Sequence, residues 1–127
     1  MLEVEVLEGE GDAPRLERAA HAALRATGLD DGHLAVSIVP AARIRELNRD
    51  HRGIDAETDV LSFPVDETRG ATGPREIGDV VICREHTADL EEAVVHGVLH
   101  LCGLDHEADD GEMLALQDEV MAELRAA

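Results

Sequence analysis

Apolar and polar residues alternate from the start of the chain. Leu2, Val4 and Val6 are separated by Glu3 and Glu5, the period of a half-exposed strand. The period changes after Asp12 and Pro14, residues suited to opening a helix. Leu16, Ala19, Ala20, Ala23 and Leu24 then follow helical spacing, and Gly28 ends the run. His33 to Val39 reads as a second strand. Pro40 opens a second helix with Ile44, Leu47 and Asn48 inward, ending near Gly53. Two strands joined through a helix imply a parallel pair with a right-handed crossover. Thr58 to Val65 is a third strand. Residues 66 to 76 are polar, with Gly70, Gly73 and Pro74, and form a loop. Residues 77 to 83 return as a fourth strand, the hairpin partner of the third. Helices follow at about 90 to 102 and about 110 to 125, the last with Met113, Leu116, Val120 and Leu124 inward. The order βαβαββαα predicts an α+β fold: a mixed four-stranded sheet with packed helices, in one domain covering residues 1 to 127.

The helix at 90 to 102 breaks the usual amphipathic pattern. Asp89 followed by Glu92 resembles a capping box and sets its start. Leu90, Val94, Val98 and Leu101 cover one side, and Val95, Leu99 and Cys102 a flank, so the helix is apolar nearly all round and is expected to be buried. The polar stripe that interrupts it carries His96 and His100, four apart and therefore one turn apart on one face. Gly97 between them costs roughly 1 kcal/mol relative to alanine, which points to a close approach of backbone or ligand. Gly103 is positioned to stop the helix in the left-handed conformation. The chain can then turn and return His106 toward the other two imidazoles. Three such nitrogens with an open fourth position make a transition-metal site. Neutral imidazoles favour one Zn²⁺ per chain, with Ni²⁺, Co²⁺ and Fe²⁺ as chemically admissible substitutes.

Composition narrows the function classes. The formal net charge is −18 and every basic side chain other than histidine is arginine. Such a surface repels polyanions in bulk, so a nucleic-acid role needs a local arginine patch or a metal. The acidity suits a high-salt cytoplasm and is equally compatible with compositional drift. Phe63 is the single aromatic besides the histidines, which excludes a base-stacking platform of the usual single-strand binders. The first residues lack the charged-then-apolar pattern of a signal sequence, and no apolar run approaches the roughly 20 residues of a membrane span. Cys83 and Cys102 lie in apolar segments and read as buried thiols in a reducing cytosol, giving a cytoplasmic expectation with no membrane partner.

The spacing H-x-x-x-H-x-x-G-x-x-H is the ligand spacing of metzincin proteases, so the helix is zincin-like. Those enzymes carry a general-base glutamate directly after the first histidine, where this chain has Gly97. A peptidase or other zincin-like hydrolase is therefore disfavoured. The residues from His96 to His106, HGVLHLCGLDH, instead resemble the H-G-x-L-H-L-x-G-Y-D-H signature of the YbeY family of bacterial rRNA-maturation endoribonucleases. Leu47-Asn48, Arg52 and Thr58 to Pro64 (TDVLSFP) are similar to a second family block, Gly78-Asp79 to a third and Met113 to a fourth. The departures are Leu104, where the family usually has tyrosine, and the absence of lysine.

The resemblance implies a single-strand-specific, metal-dependent endoribonuclease that matures small-subunit ribosomal RNA and serves ribosome quality control. Its partners would be the rRNA precursor and the small ribosomal subunit. His96, His100 and His106 would be the zinc ligands and Arg52 the active-site arginine. Arg52 closes a cluster with Arg43, Arg45 and Arg49, four of the 11 basic residues within ten positions. An arginine fork can grip a phosphate through two hydrogen bonds. Asp105 suits either orienting an imidazole or capping the turn. Ser62 and Asp79 suit strand-end packing or shaping of the site, and His51 adjoins Arg52. His21, His33 and His86 lack ligand spacing and read as surface residues. Attack by water and by the substrate's 2′-hydroxyl are both compatible with these groups. The alternative from another class is a ribosome-assembly binding factor whose metal is mainly structural. The oligomeric state is not encoded legibly.

Overall fold

A computed structural model of the chain describes residues 2–9, 11–29, 31–64, 76–105 and 109–126. The element order follows the hydrophobic pattern: β1 (Leu2–Leu7), α1 (Ala13–Ala26), β2 (Gly32–Val39), α2 (Ala41–Arg52), β3 (Val60–Pro64), β4 (Glu76–Cys83), α3 (Leu90–Leu101) and α4 (Glu112–Ala126). A short 3₁₀ turn at Arg84–His86, not expected from the sequence, links β4 to α3. The strands form one mixed sheet in the order β1-β2-β4-β3. β1 and β2 are parallel, as the intervening helix demands, and β2 is parallel to β4. β3 and β4 are antiparallel and β3 occupies the edge. The loop expected at 66 to 76 falls almost wholly outside the described residues, as does Val65 at the end of the expected third strand.

The sheet has two unequal faces. Helices α1, α3 and α4 cover one, where Leu16, Leu24, Leu34, Val36, Val80, Ile82, Val94, Val98, Leu99 and Met113 form the main core. Aliphatic burial on this scale is the chief stabilising contribution, at about 25 cal/mol per Å² removed from water. On the other face α2 is the one helix among the described residues, packing Ile44 against Leu61, Val81 and Cys83. Because β-strand side chains alternate, the two faces draw on successive residues: Val80 and Ile82 point toward α3, Val81 and Cys83 toward α2. No helix among the described residues is long and apolar enough to cross a membrane.

Three sequence expectations need correction. Leu116 is only partly buried, and Gln117 takes the buried position on α4 beside Met113, Val120, Met121 and Leu124. Cys102 is half-buried rather than buried, because it caps the exposed end of α3, where Thr27 Oγ1 donates to its sulfur at 3.4 Å. His33 is not a plain surface residue: it is half-buried and lies between Glu5 and Glu76.

Candidate metal centre

α3 begins as its sequence dictates. Glu92 N–H donates to the Asp89 carboxylate at 3.2 Å, satisfying one of the helix's orphan donors. It ends at Gly103, whose φ of +96° is the left-handed conformation glycine adopts without steric cost. Gly103 N–H donates to His100 O and Leu104 N–H to Leu99 O, the paired bonds of a Schellman turn. That turn brings the Leu104 carbonyl back over the helix end, where it accepts from His100 Nδ1 at 3.0 Å. The acceptor is backbone, so leucine in place of tyrosine at this position leaves the bond intact.

His96 is held from the other side. Its Nδ1 lies 2.8 Å from Gln117 Oε1, reaching in from α4. With both Nδ1 atoms donating to oxygen, both Nε2 atoms carry the lone pair, and the two Nε2 stand 3.1 Å apart. The rings meet nearly edge-on, with centroids 4.7 Å apart. At a nitrogen–metal distance of about 2.0–2.1 Å, two ligands of a tetrahedral ion are separated by about 3.3–3.4 Å. The two imidazoles are thus oriented and spaced as neighbouring ligands, each fixed in tautomer by an outer oxygen. His106, the expected third ligand, lies outside the described residues.

Gly97 explains how a histidine-bearing helix is seated so deeply. A Cβ there would lie 2.6 Å from Val80 Cγ1 and 3.2 Å from Ser62 Oγ. The close approach is therefore to β3 and β4 and not to a ligand. Ser62 uses it to donate to Gly97 O at 2.9 Å, which ties the edge strand to α3. The position that carries a general base in the proteases has no room here even for a methyl group. The same seating holds Gly78, whose Cβ would stand 2.5 Å from Phe63 O.

His96 and His100 open onto a cleft of about 610 Å³. Arg52, Asp59, Ser62 and Asp105 also line it. The structure therefore brings Arg52 together with two of the three expected ligands, although 44 residues separate it from His96. Gly53, with φ of +73°, ends α2 immediately after Arg52. The four arginines of α2 differ in electrostatic state. Arg43 hydrogen-bonds Glu46, Arg45 holds Asp55 at 2.8 Å, and Arg49 contacts Asp50 at 3.3 Å. Arg52 makes no ion pair among the described residues. Among the described residues it is the arginine of this cluster that no neighbouring carboxylate compensates, and it is exposed.

Two expected site residues part company. Ser62 lies on the histidine side of the sheet. Asp79 faces the other way, because it is directly opposite Phe63 in the β3–β4 register. His51 also lies on the far side, its ring 5.0 Å from that of Phe63. Gln117 is the site residue that sequence reasoning missed. Its signal was weak: a polar residue four positions after Met113 and three before Val120 on an otherwise apolar stripe.

The chain is similar to known proteins over most of its length. Residues 10–125 match the family model described as Endoribonuclease YbeY. The Endoribonuclease YbeY of Rubrobacter xylanophilus is 43% identical, over 96% of this chain and 96% of its own length. That of Aquifex aeolicus is 40% identical over 89% of this chain and 84% of its own length. That of Anaeromyxobacter sp. (strain Fw109-5) is 41% identical over 90% of this chain, which spans 65% of that relative's length. Among solved structures, the solution structure of TM1509 from Thermotoga maritima superposes with a TM-score of 0.57 at 30% identity, covering 98% of this chain and 89% of that one.

Proposed function

The chain belongs to the YbeY endoribonuclease family, and on that premise we propose that it is a zinc-dependent endoribonuclease that cleaves single-stranded segments of small-subunit rRNA precursors in the cytoplasm. The observation that carries this reading is the shared cleft. Two imidazoles with converging Nε2 atoms, and an arginine that no carboxylate among the described residues neutralises, line one solvent-open surface. His96, His100 and His106 would hold the zinc ion, which would supply polarisation of a phosphoryl oxygen and a lowered pKa for a water molecule.

The chain's own residues supply the rest. Arg52 binds a non-bridging phosphate pair through its guanidinium fork and compensates the charge that grows on the phosphoryl oxygens during cleavage. Gln117 and the Leu104 carbonyl hold the two imidazole planes before substrate arrives, so no reorganisation is needed at the moment of reaction. Ser62 fixes the edge strand beside them. The −18 net charge repels RNA in bulk, which leaves attraction to local cations such as Arg52 and disfavours adventitious contacts elsewhere. Access of both histidines to a cleft supports a catalytic rather than a purely structural ion, since structural sites are closed by their four protein ligands.

The test uses purified protein and a single-stranded RNA containing a small-subunit rRNA precursor segment. Cleavage is expected, lost with a chelator and restored by zinc. His100→Ala abolishes it, and Arg52→Ala lowers kcat/KM by roughly 10²–10³-fold, with Arg52→Lys recovering only part. Chelator-resistant cleavage, or full activity in His100→Ala, overturns the proposal.

A further inference from the structure

The opposite face of the sheet holds a second cleft, of about 670 Å³, beside α2. Ser37, Arg43, His51, Phe63 and Asp79 line it. It is not an isolated hollow. Pro64, at the end of the edge strand β3, borders both this cleft and the histidine cleft. His51 and Arg52, consecutive in the chain, each line one of the two. The clefts therefore meet around the end of a single edge strand, with Arg52 on one side and the His51–Phe63 ring pair on the other.

The chemistry of the second cleft differs from that of the first. Phe63, the one Phe, Tyr or Trp of the chain, is half-buried here instead of in the main core. The His51 ring tilts 54° against it, so two π faces border the same space. Asp79 stands directly across from Phe63 in the strand register and points to the same face. Asp79 is exposed, and partial desolvation raises its carboxyl pKa, with Glu76 adding to the effect and His33 opposing it. Among the described residues no hydrogen bond or ion pair engages the Asp79 side chain. Arg43 adds a cation, shared with Glu46.

We propose that this cleft is a nucleobase subsite for the RNA strand whose phosphate lies at Arg52, with the base stacked on Phe63 and His51 and its edge read by Asp79. The proposal rests on the endoribonuclease reading. A carboxylate accepts hydrogen bonds and donates none, so it selects a base with two adjacent N–H donors. Guanine is the ribonucleobase that offers them, through N1–H and the N2 amino group. Stacking supplies affinity without discrimination, and the carboxylate supplies the discrimination. A chain with one aromatic residue cannot build a long stacking platform, but it can build one subsite.

The experiment separates this claim from cleavage. Full-length protein with a chelator present is titrated with each of the four ribonucleoside 5′-monophosphates and with ribose 5-phosphate, while NMR follows the Phe63 and His51 ring protons. The Phe63 ring is a unique spin system in this chain. Saturable shifts are expected, with the guanosine nucleotide bound roughly tenfold or more tightly than the adenosine nucleotide. Asp79→Asn should reduce that ratio to about twofold or less while the shifts persist. Phe63→Leu should weaken all four nucleotides. The subsite is overturned by the absence of saturable shifts, by equal shifts from ribose 5-phosphate, or by an unchanged ranking in Asp79→Asn. Guanosine selectivity without RNA cleavage counts against the endoribonuclease proposal alone. Cleavage without base selectivity at these rings overturns the subsite alone.

Discussion

Gln117 shows what a single residue contributes when its position, and not its type, is decisive. It occupies a buried place on α4 and spends its amide oxygen on His96 Nδ1 at 2.8 Å. That bond fixes which ring nitrogen faces the cleft. Replacing Gln117 with leucine keeps the volume and the packing of the stripe but leaves the imidazole N–H without this acceptor. The expected outcome is zinc affinity lower by 10–100-fold, read by chelator competition, with thermal stability of the zinc-free protein nearly unchanged. Equal zinc affinity in Gln117→Leu would remove the residue from the site. The histidine pair itself was legible in the sequence, because four-residue spacing on a helix is local information. Gln117 was not, because the bond spans 21 positions and depends on how α4 packs against α3. Arg52 was legible only through its family pattern. Nothing in local spacing places the end of α2 beside α3.

At the scale of the element, α3 joins two demands in one helix: near-complete burial and two outward imidazoles. Gly97 reconciles them by letting the helix settle onto β3 and β4. Gly97→Ala tests this with opposing contributions. Helix propensity favours alanine by roughly 1 kcal/mol. Against it, the new Cβ meets Val80 Cγ1 at 2.6 Å, and Val80 is fully buried with a β-branched side chain that cannot swing aside. The clash should win, with a net loss of about 1–2 kcal/mol in denaturant unfolding and a weakened Ser62–Gly97 bond. A more stable Gly97→Ala variant would show that the close approach is not required. The elements themselves were largely visible in the sequence. Period-two alternation gave β1, Pro40 and Gly53 bracketed α2, and Asp89 and Gly103 bracketed α3. What the pattern did not reveal was the irregularity between β2 and β4, where the register shifts after His33 and Gly78 adopts φ of +147°. Periodicity reports which residues alternate, not where a ladder slips. The third strand begins at Val60 and not Thr58, because Asp59 spends its carboxylate on Val60 N–H at the strand entrance.

At the scale of the whole molecule, the order of elements and the mixed sheet followed from the pattern, but the presence of a cleft on each face of the sheet did not. That division places His96 and His100 on one side of the edge strand and the Phe63–Asp79 pair on the other. It is a consequence of strand order, which no local signal encodes. The charge balance also acts globally. A net charge of −18 makes self-repulsion a standing cost to the compact state, so cations placed between strands matter more than their number suggests. His33 is such a group. It stands on β2 with Glu76 of β4 at 3.0 Å and Glu5 of β1 at 3.7 Å, spanning three of the four strands. The hydrogen bond to Glu76 holds its pKa above the ordinary 6.5, desolvation opposes it, and the charges of Glu76, Glu5 and Glu3 reinforce it. The folded-state value is the higher one. Its stabilisation is therefore fully present below about pH 6.5, where the unfolded chain is also protonated, and is lost as pH rises through the raised folded value. Asp12 and Asp55, lowered mainly by hydrogen bonds from Arg84 and Arg45, act in the opposite sense and only as pH falls into the acid range. The two windows do not overlap. Between pH 6 and pH 8.5 unfolding free energy should fall, with His33 contributing a few tenths to about 1 kcal/mol because its carboxylate partners are half-exposed. Glu76→Gln removes the principal cause of the shift. Its unfolding free energy, measured by urea titration across the same range, should lose most of that slope, and a slope identical to that of the unmodified chain would show that the three-strand contact does not govern it.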